Sequence, residues 1–180
     1  MLTERRRGPS LRQCADSLAE VPAARTLIDD DLRAFILGPV SAFLGTADSL
    51  GTPDVTRVCG LVALDDHRMR ILIGSEASTA RSNATVGAHV AVIVTDITNY
   101  RSVQWKGSVV TPVEPRTSGD LVVADRHVEG FVEASPIVGL DPAIAADIFP
   151  ADVVALVVEL TEAFDQTPGP GAGLPLGGLA

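Results

Sequence analysis

Along most of this chain the apolar positions recur with a period near two, and turn-forming residues break the pattern at short intervals. Val40–Ala47 is a short apolar run, closed by the turn residues Asp48-Ser49-Leu50-Gly51 with Pro53 after them. Asp54–Leu64 is a second run, rich in β-branched residues, and Asp65-Asp66-His67 is the next turn. Arg68–Gly74 alternates charged and apolar side chains, as a half-buried strand does. His89–Thr95 is almost continuously apolar, which predicts a strand covered on both faces. Arg101–Val113 reads as a long strand ending near Pro112 and Pro115, and Asp152–Leu160 as another buried one.

Helical periodicity appears between these runs. Asp29 or Asp30 can cap a helix whose Leu32, Phe35 and Ile36 share a face, and Gly38-Pro39 stops it. Ser75–Gly87 predicts a loop and a short helix capped by Ser78 or Thr79. Ser118–Glu133 predicts a longer helix capped by Ser118, with Leu121, Ala124, Val128 and Phe131 inward, and a short helix follows over Pro142–Phe149. Six strands with short connections and no βαβ alternation predict a mainly β, α+β protein: an antiparallel barrel or sandwich with added helices. The expected organisation is an N-terminal arm over 1–28, one domain over 29–166, and a Gly/Pro-rich tail over 167–180.

Composition narrows the classes. The 180 residues carry 14 Lys and Arg against 23 Asp and Glu, a net charge of −9. That balance argues against nucleic acid as a partner, because such binding needs a basic stripe. Lys106 is the one lysine, so the cationic chemistry here is guanidinium chemistry. The two cysteines, Cys14 and Cys59, have no metal-ligand spacing and are expected to be free thiols. The first twenty residues lack the apolar core of a signal peptide, and no run is long enough for a membrane span, so a cytoplasmic protein is expected.

No catalytic signature of the hydrolase, phosphate-loop, zinc-helix or dinucleotide type occurs. His67, His89 and His127 fall in a turn, at a strand start and in a helix, as surface or hydrogen-bonded histidines do. Asp29-Asp30-Asp31 is expected to cap a helix, not to hold a metal. Three features offer chemistry. Arg57 sits in an otherwise apolar strand, with Val55, Cys59 and Leu61 as its expected same-face neighbours. The loop from Ser75 to Asn83 offers the hydroxyls of Ser75, Ser78, Thr79 and Ser82 beside Arg81, the donors a phosphate monoester needs. A plainer alternative is a capped helix with a surface cation. Gln104 and Lys106 share one strand face, with Trp105 on the other; they can read the polar edge of a heterocycle or simply face solvent.

These segments, in this order, resemble the pyridoxamine 5′-phosphate oxidase-like superfamily, the flavin-binding split β-barrels. The pattern covers roughly Asp29–Pro115 and runs through SAFLGTAD, DVTRVCGLVAL, MRILIG, STARSNATVGAHVAVIV and YRSVQWKGSVV. AFDQTPGPGAG, at Ala163–Gly173, also looks like one uncharacterised bacterial branch of it. The resemblance implies a six-stranded antiparallel Greek-key split β-barrel, a homodimer, and FMN in clefts at the dimer interface. Carried over by position, Arg57 would touch the flavin phosphate or ribityl chain, with the Val58 and Cys59 backbone close to the ring. Ser75, Ser78, Thr79 and Ser82 would supply donors and Arg81 the phosphate cation, while Gln104 and Lys106 would lie near the isoalloxazine edge.

Departures shape the expected function. Val62 stands where true oxidases place a second phosphate cation, and Ser102 where the family's flavin-binding glutamine usually lies. The tail has no counterpart of the segment that holds pyridoxal phosphate. The expectation is therefore an FMN-dependent oxidoreductase acting on an unidentified small molecule, not an authentic pyridoxamine phosphate oxidase. Alternatives are a deazaflavin-dependent reductase and a non-catalytic flavin or haem carrier.

Overall fold

The computed structural model describes residues 26–176. Six strands form a closed antiparallel barrel: β1 (Val40–Ala47), β2 (Pro53–Ala63), β3 (Arg68–Gly74), β4 (His89–Asp96), β5 (Ser102–Val109) and, numbered β7 in chain order, Val153–Asp165. A two-residue strand β6 (Glu114–Pro115) lies beside β7. The order is β3-β2-β1-β4-β5-β7, and β3 pairs with β7 to close the ring. Closure removes the free edges that an open sheet would expose.

Each strand's alternation aims one set of side chains inward. Val40, Ala42 and Leu44 from β1, Val90, Val92 and Val94 from β4, and Trp105 from β5 fill the barrel core. Trp105 is fully buried, and its indole Nε1 donates to the Leu27 carbonyl at 2.9 Å. Leu27 and Ile28, the end of the arm expected over 1–28, are themselves core residues. The rest of that arm and Cys14 lie outside the described residues.

Helix α1 (Asp30–Ile36) is capped by Asp29, whose side chain accepts from the Leu32 backbone N–H. Helix α2 (Ser78–Asn83) follows β3; its cap is Ala77 with no side-chain bond, which corrects the expected Ser78 or Thr79 cap. A tight turn takes the place of that cap, with the Ser78 N–H on the Glu76 carbonyl. Helix α3 (Ser118–Ala134) is capped by Thr117, not Ser118, in a reciprocal capping box with Asp120. Its buried stripe is Asp120, Ala124, His127, Phe131 and Ala134. Leu121 is turned outward because Arg70 on β3 draws Asp120 onto the barrel. Helix α4 (Pro142–Asp147) leads to Phe149, which packs with α3.

Two strand ends depart from the sequence reading. β5 stops at Val109, before the expected Val113, as the chain crosses to pair Val110 N–H with the Val157 carbonyl. β7 continues past Leu160 to Asp165, because the irregularity opposite Lys106 and Gly107 absorbs Thr161 and returns Ala163 to the core. The Gly/Pro-rich tail then folds back along β7, with Leu176 N–H on the Ala163 carbonyl and a bridge between Phe164 and Pro175. Among the described residues no helix is long and apolar enough to cross a membrane.

Candidate functional site

The outward faces of five strands form a surface that carries one group of the expected residues. Cross-strand register places Arg57, Phe43, Ile93, Gln104 and Phe164 in one row across β2, β1, β4, β5 and β7. The next row is Val55, Gly45, Ala91, Lys106 and Glu162. Arg57, Gln104 and Lys106 therefore share one face of the barrel. Arg57 and Gln104 are separated by three strand spacings, roughly 14 Å. The Gln104 amide oxygen accepts from Gln166 Nε2 at 3.4 Å, and Lys106 Nζ lies 4.7 Å from the Phe164 ring centroid. Lys106 also borders an open cavity of about 490 Å³ with His89, Thr161 and Glu162.

Arg57 is half-buried, and burial lowers its pKa from the ordinary value, with a weak opposing effect from Cys59. The guanidinium stays charged all the same. Its Cζ lies 4.9, 5.5 and 5.9 Å from the ring centroids of Phe43, Phe149 and Phe131, and Nη1 reaches Ser41 Oγ at 3.4 Å. The expected neighbour Leu61 is not on this face. A bulge between Val58 and Gly60 shifts the register, so Val58 and Leu61 enter the barrel core while Cys59 joins the layer under α3. Burial, then the Glu76 charge, pushes the Cys59 thiol up to about 12, which leaves it an inert packing group.

His127 lies in the same layer as Arg57. It meets Phe149 edge-on at 5.8 Å, and its Nε2 is buried without a hydrogen-bond partner among the described residues. Burial first, then the Arg57 charge, pulls its pKa down to about 4 against an opposing backbone hydrogen bond with Val58.

The loop after β3 builds a second place. Ser78, Arg81, Ser82 and Thr85 line a cavity of about 590 Å³ together with Val86, Pro112 and Val113. No carboxylate lines it. Arg81 Nη1 donates to the Ser75 carbonyl at 2.6 Å, which fixes the guanidinium against the loop. Asn83 Nδ2 donates to Thr46 Oγ1 at 3.2 Å and ties α2 to β1. The Ser75 hydroxyl turns to Asp152, and Thr79 is exposed outside the cavity lining. The expected set is thus divided: Arg57, Gln104 and Lys106 on the strand face, and Ser78, Arg81 and Ser82 around the cavity. Ser41, Phe43, Thr85, His127, Phe131 and Phe149 join these places without a sequence signal of their own, since each falls at an ordinary apolar or polar position.

No family model matches the chain, and no curated protein does. Solved structures do match. The Group A Streptococcus protein HupZ is 14% identical, with 81% of this chain and 99% of that one covered, at a TM-score of 0.50. A putative pyridoxamine 5′-phosphate oxidase from Lactobacillus delbrueckii is 15% identical, covering 79% and 97%, at 0.49. An F420 reductase is 25% identical, covering 73% and 94%, at 0.48. The likeness to HupZ is one of fold alone. The mainly β fold expected from the sequence, a six-stranded antiparallel barrel with added helices, is the one observed.

Proposed function

We propose that this chain binds FMN, with the phosphate at the Arg81 cavity, and acts as a flavin-dependent oxidoreductase on a small molecule. The observation that carries the reading is the cavity itself. In a chain of net charge −9, one guanidinium and three hydroxyls line it and no carboxylate does. Those are the donors a phosphate monoester takes, and the donor set fits the group. When bound, the flavin supplies hydride and electron transfer. This chain's residues bind and orient: Arg81, Ser78 and Ser82 hold the phosphate, and Gln104 and Lys106 offer donors toward a ring edge. Val62 stands half-buried opposite Arg70 on β3 and adds no cation, in keeping with an activity other than pyridoxamine phosphate oxidation.

A homodimer belongs to the same reading. Val55 is 66% exposed on the strand face, and the half-buried Phe43, Ala91 and Ile93 continue it as an apolar surface. A second copy packed there would cover this surface and bring further groups to the cofactor.

The test is an absorbance spectrum of the purified protein before and after addition of FMN and desalting. Retained flavin bands, bleached by NAD(P)H and restored by a second substrate, are the expected result. A protein that refuses FMN overturns the proposal; retention of a deazaflavin, or a haem band on reconstitution, would then identify the group actually bound. Sedimentation of the wild type and of Ile93→Arg tests the dimer, with conversion to monomer expected.

A further inference from the structure

We propose that Arg57, with Ser41 and the rings of Phe43, Phe131 and Phe149, forms a subsite for a small carboxylate with an apolar or aromatic body, separate from the Arg81 cavity. The first observation is a charge without a partner. Arg33, Arg68, Arg70, Arg101 and Arg116 each form a salt bridge in this acidic protein. Arg57 is half-buried and forms none among the described residues; its polar contact is the long one to Ser41 Oγ. Three rings compensate part of its lost hydration through cation–π attraction, yet they leave guanidinium N–H donors unmatched.

The second observation is independent. Within the same aromatic layer, His127 Nε2 is a buried polar atom with no partner, and such atoms in folded proteins call for a water or a ligand. With Nδ1 on the Val58 backbone, Nε2 is an acceptor, so a hydroxyl or N–H borne by the ligand would satisfy it.

The chemistry selects carboxylate over phosphate. A planar carboxylate matches the two parallel N–H donors of one guanidinium. The surrounding walls are phenyl rings, suited to an apolar body and short of the further donors a phosphate dianion takes. Hydroxyls and a guanidinium for a phosphate are grouped instead around Arg81. The subsite rests on the flavin reading only in making the carboxylate that of a substrate; carboxylate binding itself does not need FMN.

Calorimetric titration of the full chain with sodium benzoate, with and without FMN, tests this. Saturable binding is expected, weakened at least tenfold in Arg57→Met and less in Arg57→Lys, with inorganic phosphate and the neutral benzamide failing to compete. Arg81→Ala should change FMN retention and not benzoate affinity. In wild type, benzoate should also move the ¹⁵N resonance of His127, a readout that needs no variant to fold. Absent binding, unchanged affinity in folded Arg57→Met, an unmoved His127 resonance, or displacement by phosphate would each overturn the subsite. If FMN is refused while benzoate binds, the flavin reading fails and the subsite stands.

Discussion

Arg70 on β3 grips Asp120 on α3 with two parallel hydrogen bonds, Nε to Oδ1 at 2.7 Å and Nη2 to Oδ2 at 2.8 Å. The pair does two tasks at once. Asp120 Oδ2 also accepts from the Thr117 backbone N–H and hydroxyl, so the carboxylate that closes the helix cap is the one that anchors the helix to the barrel. Both side chains are largely buried, at 16% and 7% exposure, and Glu114 adds a further contact to Arg70 at 2.6 Å. The bond positions α3, and α3 carries His127 and Phe131 to Arg57.

Asp120→Ala should therefore cost more than an ordinary helix cap. It removes the Asp120 half of the capping box and leaves Arg70 with Glu114 alone. Breaking a buried pair costs about 3–5 kcal/mol, and the remaining Glu114 contact puts the expected loss near the lower end. Urea unfolding measures it; a loss below about 1 kcal/mol, the value of a surface pair, would show that α3 is held by its apolar face instead.

Stability should also fall with acid earlier than the carboxylates alone require. Folding depresses the pKa of His127 to about 4, so the unfolded chain takes up its proton near the ordinary value of 6.5 and the native chain resists. The contribution is whole above pH 6.5 and is lost progressively as pH falls toward 4; the shift corresponds to roughly 3 kcal/mol. Asp120, also depressed, loses its contribution only below the ordinary carboxylate range. Denaturation midpoints across this pH range should slope in wild type and flatten between pH 6.5 and 4 in His127→Leu. An unchanged slope in that variant would assign the effect elsewhere.

Much of this fold could be read from alternation and turn chemistry, because both are local. β1 and β3 have the bounds their patterns predict, β1 followed by the Asp48–Gly51 turn and β3 preceded by the Asp65–His67 turn. The parity of Gln104, Trp105 and Lys106 also held, which placed two donors outside and the indole inside. Bulges and helix faces were less legible. The slip at Val58/Gly60 depends on Gly60, where an added Cβ would lie 2.9 Å from Leu72 and 3.1 Å from Val123. The rotation of α3 depends on Arg70, fifty residues away. The surroundings of Arg57 were hidden for the same reason. Ser41, Phe131 and Phe149 come to it from three elements, and no spacing in one stretch of chain encodes their meeting.

Gly107 should tolerate no side chain. It sits at the irregularity where β5 meets β7, and an added Cβ would lie 2.9 Å from the Glu159 carbonyl carbon and 3.0 Å from the Leu160 Cα. Both obstacles are backbone, so the strands must separate to admit a methyl group. Gly107→Ala is expected to cost about 1–3 kcal/mol or to abolish folding, whereas Gly87→Ala meets no atom and pays only for its positive φ. Thermal melts of the two variants make the comparison; equal losses would show that the β5–β7 seam can open.

The phosphate cavity gives the most direct test of the site. Arg81 is exposed and already held by the Ser75 carbonyl, so Arg81→Ala should leave the fold intact. A charged hydrogen bond is worth about 1.5–3 kcal/mol, which predicts at least a tenfold loss of FMN affinity, read by quenching of flavin fluorescence. Because the contact is solvent-facing, wild-type affinity should fall with added salt, and the variant's should fall less. Thr85→Val probes the hydroxyl that the structure adds to the cavity, with a smaller loss expected from a neutral donor. Riboflavin, which lacks the phosphate, should bind wild type and Arg81→Ala alike. If Arg81→Ala weakens riboflavin as much as FMN, the cavity does not read the phosphate and the cation acts on the loop alone.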